Sequence, residues 1–456
     1  MNTKILSYTI PELCDYLRHN IPIPARLAAN LELKVLCPGP DDGDCGVIPT
    51  TTPLNIPDIA TLIVSPTGCS LHLTETGRGK INQKRAWILN LKEKDIVSSD
   101  FFEPINQAIY EIKKKTPKPL KGLIICGTCI DALLGTDYAS IATLLEEEHD
   151  IRVTYQIMGP ILKGTPRSGQ YHMYTAMYNL LRKAPSNNML KSINILGPLH
   201  NPSKNSELPE LLKQAGIDNI FYLGDFSTLE DCDCMTNSLL NIVTVENALT
   251  AAKELKRKHN IPYLYLPPSY NPETIHANYQ KISEALDITI DDSKEFKENR
   301  ILADRLKSRL STRKCAIGER NIYNTLDVTL DLISLGCNIT KIYLRKASPS
   351  DLPKLEQINN LAPHAEVCFD THPSLWNYCA TSSDFDLSFG VPLLFIKNST
   401  DVIDAPIHFP FIDYASLTAL FIQLENCLDN SVKKERKESN STIPNPRKWT
   451  VYRKDI

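Results

Sequence analysis

Gly122-Leu123-Ile124-Ile125-Cys126-Gly127-Thr128-Cys129-Ile130-Asp131-Ala132-Leu133-Leu134-Gly135-Thr136-Asp137 runs from an aliphatic strand through a glycine-containing turn and on toward a helix. Leu123, Ile124 and Ile125 have the character of a buried parallel strand. Thr136 and Asp137 are N-cap residues ahead of the helical segment from Tyr138 to Glu148. Cys129 therefore falls at a strand's carboxyl end. In open α/β sheets ligands collect at that edge, because the backbone turns outward and the following helix presents its positive N-terminus to anionic groups.

Two further cysteines with glycine nearby precede it: Cys37 in Cys37-Pro38-Gly39-Pro40, and Cys69 in Ser65-Pro66-Thr67-Gly68-Cys69, after the strand Ala60-Thr61-Leu62-Ile63-Val64. Three thiols on turns suggest an iron-sulfur site. Clusters are held by cysteine thiolates, and one that bridges subunits draws ligands from loops distant in sequence. Gly39, Gly68 and Gly127 would let the backbone approach an inorganic core and leave N–H groups free to bond its sulfides.

The strand-then-helix pattern occurs in three segments, as expected of α/β architecture with parallel sheets flanked by helices. The second opens at Ser192-Ile193-Asn194-Ile195-Leu196-Gly197, passes a helix from Pro209 to Gly216, and returns in Asn219 to Leu223 and Ile261 to Leu266. The third opens at Lys314-Cys315-Ala316-Ile317-Gly318, runs a helix from Asn321 to Leu335 and a strand from Ile339 to Leu344, and ends in a strand at Val391-Pro392-Leu393-Leu394-Phe395. We divide the chain accordingly into a cluster-binding domain 1–190, a second domain with connector 191–305, a third domain 306–430 and a polar tail 431–456.

A chain of 456 residues, 42% hydrophobic and 23% charged, is long enough for two to four compact domains. A net charge of −3 gives no basic field for nucleic acid. Thirteen cysteines is an odd number and too few for a disulfide scaffold, which favours reduced thiols. The start carries no signal-like apolar core, and no apolar run is long enough to span a membrane. Cytoplasmic placement without membrane attachment follows.

Other readings of the cysteines stay open. Cys126 and Cys129 form a Cys-Gly-Thr-Cys pair of the kind that exchanges disulfide, or one arm of a zinc site, but neither a second such pair nor a histidine pair accompanies it. Along its strand Cys126 alternates inward as a small core residue. Cys45, in Asp41-Asp42-Gly43-Asp44-Cys45, competes with Cys37 as first ligand, and its acidic neighbours would raise the thiol's pKa. Cys232 and Cys234, between Asp231 and Asp233, read as a surface loop. Cys315, Cys337, Cys368, Cys379 and Cys427 read as buried small hydrophobes. His72, Asp131 and Arg167 lie on or near the candidate loops, and none is assigned as a proton donor.

Taken together these residues resemble the nitrogenase component 1 type of oxidoreductase and its relatives, the dark-operative protochlorophyllide reductase and the nickel-sirohydrochlorin diamide cyclase. Pro66-Thr67-Gly68-Cys69 is similar to the family's Gly-Pro-x-Gly-Cys element, the segment 127–137 to its second cysteine element, and Cys37 to its first cysteine. Ile193 to Gly197 and Lys314 to Gly318 resemble the strands that open the second and third domains, and Phe409-Pro410-Phe411-Ile412-Asp413 a late Phe-Pro-x-x-Asp element.

The resemblance implies three Rossmann-like domains and an iron-sulfur cluster, four-iron and four-sulfur, at a subunit interface. Its ligands would be Cys37, Cys69 and Cys129, with Cys45 or Cys126 in reserve. It further implies an ATP-hydrolysing iron protein as electron donor, and either a paralogous subunit or a second copy to supply the remaining ligands. The segment corresponding to the family's cofactor cysteine, Leu240 to Val245, has no cysteine, so no iron-molybdenum cofactor is expected. Three roles are compatible: a reductase of an unidentified organic substrate, a metallocofactor assembly scaffold, or a non-catalytic partner subunit.

Overall fold

The computed structural model describes residues 6–19, 21, 51–69, 85–98, 100–116, 118–158, 169–185, 191–202, 205–320, 325–370, 372, 375, 378–396, 399, 402–405 and 412–438. Two compact units emerge. One comprises Leu27–Arg300 with Phe409–Leu417, the other Met1–Arg26, Ile301–His408 and Thr418–Ile456.

Strands are numbered along the chain; β1 (Tyr8–Thr9) belongs to the smaller unit. In the larger unit β2 (Ile59–Pro66), β3 (Ala86–Leu91), β4 (Gly122–Gly127) and β5 (Arg152–Ile157) form a parallel sheet in the order β3-β2-β4-β5. The central strands β2 and β4 are buried almost throughout, as a parallel sheet covered on both faces requires. Side-chain alternation divides them between two cores. Ala60, Leu62, Val64, Leu123 and Ile125 pack against residues of the helices α1 (Phe102–Lys115) and α2 (Tyr138–His149). Ile59, Ile63, Ile124 and Cys126 face the opposite way, into a core shared with the second sheet.

That second sheet contains β6 (Ser192–Leu196), β7 (Asn219–Phe221), β8 (Leu240–Val243) and β9 (Tyr263–Tyr265), parallel and ordered β7-β6-β8-β9. The two sheets thus repeat one topology. In each, the first strand is central, the second lies on one side of it and the remaining two on the other, so the winding reverses between β2 and β4 and again between β6 and β8.

In the smaller unit β10 (Lys314–Ile317), β11 (Asn338–Leu344), β12 (Glu366–Phe369), β13 (Leu387–Phe389) and β14 (Ile403–Asp404) are parallel, and the sheet order is β1-β12-β11-β10-β13-β14. Winding reverses here between β10 and β13. The three α/β segments read from the sequence therefore each build a parallel sheet.

Several boundaries differ from the sequence reading. Residues 8–18, grouped with the first domain, belong instead to the smaller unit: β1 adds antiparallel to β12 with Tyr8 opposite Val367, and Arg18 of the helix Ile10–Arg18 pairs with Glu356 at 2.5 Å. Two residues are too few to show an alternating pattern. The expected strand Val391–Phe395 is a short helix at Leu393–Ile396, because Pro392 lacks the N–H a ladder needs; the strand is Leu387–Phe389. The polar stretch from 431 continues the C-terminal helix Tyr414–Glu438 as far as residue 438.

Candidate metal centre

The turns after β2 and β4 leave the first sheet side by side at its carboxyl edge, where the winding reverses. In doubly wound sheets this is the crevice into which ligands fit. Ile63 is level with Cys126 in the register, so the chain reaches Thr67-Gly68-Cys69 on one strand as it reaches Thr128-Cys129 on its neighbour. Cys69 is exposed and Cys129 half-buried, and neither belongs to a hydrophobic core. Partial desolvation raises the pKa of Cys69, and the charges of Cys129 and Asp131 raise it further.

Cys129 opens a six-residue helix, Cys129–Leu134, whose start is fixed by Asp131. The Asp131 carboxylate accepts from the Thr128 N–H at 2.5 Å, from Thr128 Oγ1 at 3.2 Å and from the Tyr138 hydroxyl at 2.8 Å. It is wholly buried, and burial holds its pKa above the usual value against those three donors. Both oxygens serve the turn, so Asp131 is a positioning residue for Cys129. Tyr138 had no signal in the sequence beyond its place at the start of a helix. Its ring stacks on Tyr155 with centroids 5.9 Å apart.

Glycines at the edge divide by cause. A Cβ on Gly127 would stand 2.7 Å from Tyr138 Cε2 and 3.3 Å from Asp131 Oδ2, so this glycine admits the tyrosine ring. Gly68 faces open space, with nothing within 4 Å of its Cβ position. It is the glycine whose surroundings leave room for a bulky ligand.

Cys126 is not brought to the edge. It points into the shared core, fully buried, and its sulfur accepts from Gln156 Nε2 at 3.0 Å; burial pushes its thiol up to about 12. Thiolate formation, which metal ligation needs, is opposed there. Cys37, Cys45, Gly39, His72 and Arg167 lie outside the described residues. Among the described residues no group of three or more Cys, His, Asp or Glu stands ready to hold a metal ion. Cys69 and Cys129 thus fit as two thiolate ligands, and a cluster there would draw others from outside the described residues or from another chain.

The remaining cysteines separate differently from expectation. Cys232 lies in a turn of 3-10 helix, Asp231–Asn237, fully buried, and its neighbour Asp233 is clamped by Arg152 of β5 at 2.7 and 2.8 Å. The acidic run is therefore a packed junction between the two sheets of the larger unit, not a surface loop. Cys315, Cys337 and Cys368 are buried as expected, whereas Cys379 is exposed and Cys427 half-buried.

Residues 50–422 match the sequence model of the nitrogenase component 1 type oxidoreductases. The nitrogenase iron-molybdenum cofactor biosynthesis protein NifE of Methanosarcina barkeri is 23% identical over 226 residues, 46% of this chain and 48% of that protein, so the chain spans about half the length of this curated relative. Of solved structures, nitrogenase Cp1 at pH 6.5 superposes with a TM-score of 0.68 at 17% identity, over 91% of this chain and 98% of the other. At pH 5 the values are 0.57 and 16%, over 86% and 88%. Likeness at that identity establishes a shared fold.

Proposed function

The chain belongs to the nitrogenase component 1 type oxidoreductases, and from that membership we propose that it is the iron-sulfur subunit of a nitrogenase-like reductase. The observation that carries the reading is the convergence of Cys69 and Cys129 at the winding reversal of the first sheet, each outside the hydrophobic cores and within electrostatic reach of the other. Cys37 is the third ligand in this reading. A four-iron, four-sulfur cluster held there would supply one-electron transfer at low potential. The chain's own residues would orient it. Asp131 and Tyr138 fix the turn that carries Cys129, and Gly68 keeps the space beside Cys69 clear. Electrons would come from an ATP-hydrolysing iron protein, and a paralogous subunit or second copy would complete the ligand set. Among the described residues no helix is long and apolar enough to cross a membrane.

Serine at Cys37, Cys69 and Cys129 in turn, followed by iron counting and low-temperature spin resonance after anaerobic purification, tests the site. Iron and signal are expected to fall with each. Loss on changing Cys315 or Cys368 instead would sink the assignment.

The similarity to a cofactor biosynthesis protein favours a second reading, an assembly scaffold that holds a nascent metal cofactor in passing. The two readings part on turnover. With a cognate iron protein, ATP and dithionite, a reductase consumes reductant catalytically, whereas a scaffold transfers metal to an acceptor and stops.

A further inference from the structure

The larger unit gathers positive charge where the helix Leu249–His259 ends. That helix carries Lys253, Lys256, Arg257 and Lys258, with His259 as its last residue. Arg182 and Lys183, on the turn after the helix Gly169–Tyr178, stand beside it. Lys258 Nζ donates to Asn179 Oδ1 at 2.7 Å and ties the two segments together. Partial desolvation lowers the Lys258 pKa, and Arg257 and Arg182 lower it further against Glu254; His259 is lowered by burial, with Lys258 and Lys183 adding to it. Segments far apart in sequence thus bring their cations to one corner.

Neighbouring carboxylates do not neutralise that corner. Glu254 is engaged by Arg257 at 2.7 Å, Glu146 by Arg182, and Asp233 by Arg152. Lys183, Lys253, Lys256 and Lys258 are exposed, and among the described residues none of the four is in an ion pair. Two of them are held in place, Lys258 on Asn179 and Lys256 over the Tyr263 ring, 5.9 Å from its centroid. The helix macrodipole favours cations in the last turn, which accounts for Lys256 to His259. It does not account for Lys253, a turn earlier, or for Arg182 and Lys183 on another segment. Lys253 repels Lys256 and Arg257, three and four residues on, so the crowding opposes the fold.

We propose that this patch is a docking surface for the acidic face of a second protein. The chain as a whole carries −3, which disfavours the approach of a long polyanion or an anionic membrane. A compact acidic face meets the patch within one Debye length, about 10 Å at 0.1 M salt, without bringing further negative charge near the rest of the chain. The patch borders the amino edges of both sheets: β9 starts shortly after His259, and Arg152, which opens β5, holds Asp233 beside the Arg182 backbone. Cys69 and Cys129 follow the opposite edge, a strand's length of about 20 Å away for the six residues of β4. The partner therefore binds apart from the thiols, and the surface stands whether or not they carry iron.

Fluorescence anisotropy of labelled poly-L-glutamate, titrated with the full chain at about 0.1 M salt, tests the surface. Saturable binding that weakens as salt rises is expected. Lys253→Glu combined with Lys256→Glu should weaken it by about tenfold or more, and Lys183→Glu, which lies off the helix, should weaken it in the same direction at unchanged circular dichroism. Lys114→Glu combined with Lys115→Glu reverses two exposed lysines on α1 and should leave binding as in the wild type. No effect of reversal at 253 and 256, or a loss no larger than reversal at 114 and 115 gives, overturns the patch. Duplex DNA or phosphatidylserine vesicles that bind more tightly than poly-L-glutamate, and lose that binding in the same variants, overturn the acidic protein as occupant.

Discussion

The first and second sheets of the larger unit have the same strand order, yet their reversal points are built in opposite ways. At the first, the turns after β2 and β4 carry Cys69 and Cys129, and Gly68 opens onto empty space. At the second, the turns after β6 and β8 are packed shut: a Cβ on Gly197 would stand 2.5 Å from Thr244 Oγ1 and 3.2 Å from Val245 Cγ2, while the Tyr174 hydroxyl donates to the Gly197 carbonyl at 3.0 Å. Topology fixes where a ligand could enter. Side chains decide which entrance is kept, and among the described residues of this unit the first reversal point is the one that offers thiols.

The sharpest way to break that contrast is to remove the thiols. Cys129→Ser and Cys69→Ser are expected to lose nearly all bound iron while circular dichroism stays that of the wild type, since neither sulfur lies in a core. Cys126→Ser should keep its iron and instead lose about 1 kcal/mol of stability in urea, because a hydroxyl replaces a fully buried sulfur in the apolar core shared by the two sheets. Iron loss in the Cys126 variant alone would mean that the edge has been misplaced by one side of the strand.

Next in size is the junction that joins the two sheets. Asp233 accepts both Arg152 guanidinium nitrogens and also the Arg182 backbone N–H at 2.8 Å, with side-chain exposures of 13% for the aspartate and 17% for Arg152. Asp233→Ala removes the countercharge of that guanidinium, leaving it only the Leu180 and Leu229 carbonyls at 3.1 and 3.5 Å, and should cost about 3 kcal/mol in urea unfolding. A loss below about 1 kcal/mol would show that water replaces the carboxylate freely and that the two sheets are held by Cys232, Met235 and their apolar neighbours alone.

Much of this was legible in the chain. Ala60 to Val64 and Leu123 to Ile125 are continuous apolar or β-branched runs, and the structure makes each part of a central parallel strand, because burial on both faces leaves no polar alternation to confuse the pattern. Asp137 caps its helix through the Ser140 N–H at 3.1 Å, as its type and place imply. What escaped was set by distant partners. The run Asp231-Cys232-Asp233-Cys234 looks solvated until Arg152, far off in sequence, supplies the countercharge. Gly127 beside Cys129 suggested room for a ligand, and the room is taken by Tyr138.

Substitutions at the two glycines sharpen the contrast more finely. Gly197→Ala places a methyl against Thr244 at a residue with φ of 137°, and a loss on the order of 2 kcal/mol is expected in urea unfolding. Gly68→Ala has neither obstacle: its backbone is not in the left-handed region and no atom lies within 4 Å of the added carbon. Stability should stay within about 0.5 kcal/mol of the wild type. Its informative readout is therefore iron. If a bulky inorganic core occupies the space beside Cys69, the methyl intrudes on it, and iron content should fall although the fold is untouched. Unchanged iron together with unchanged stability would show that the open space at Gly68 is turned toward solvent, and that a cluster held by Cys69 and Cys129 approaches from another side.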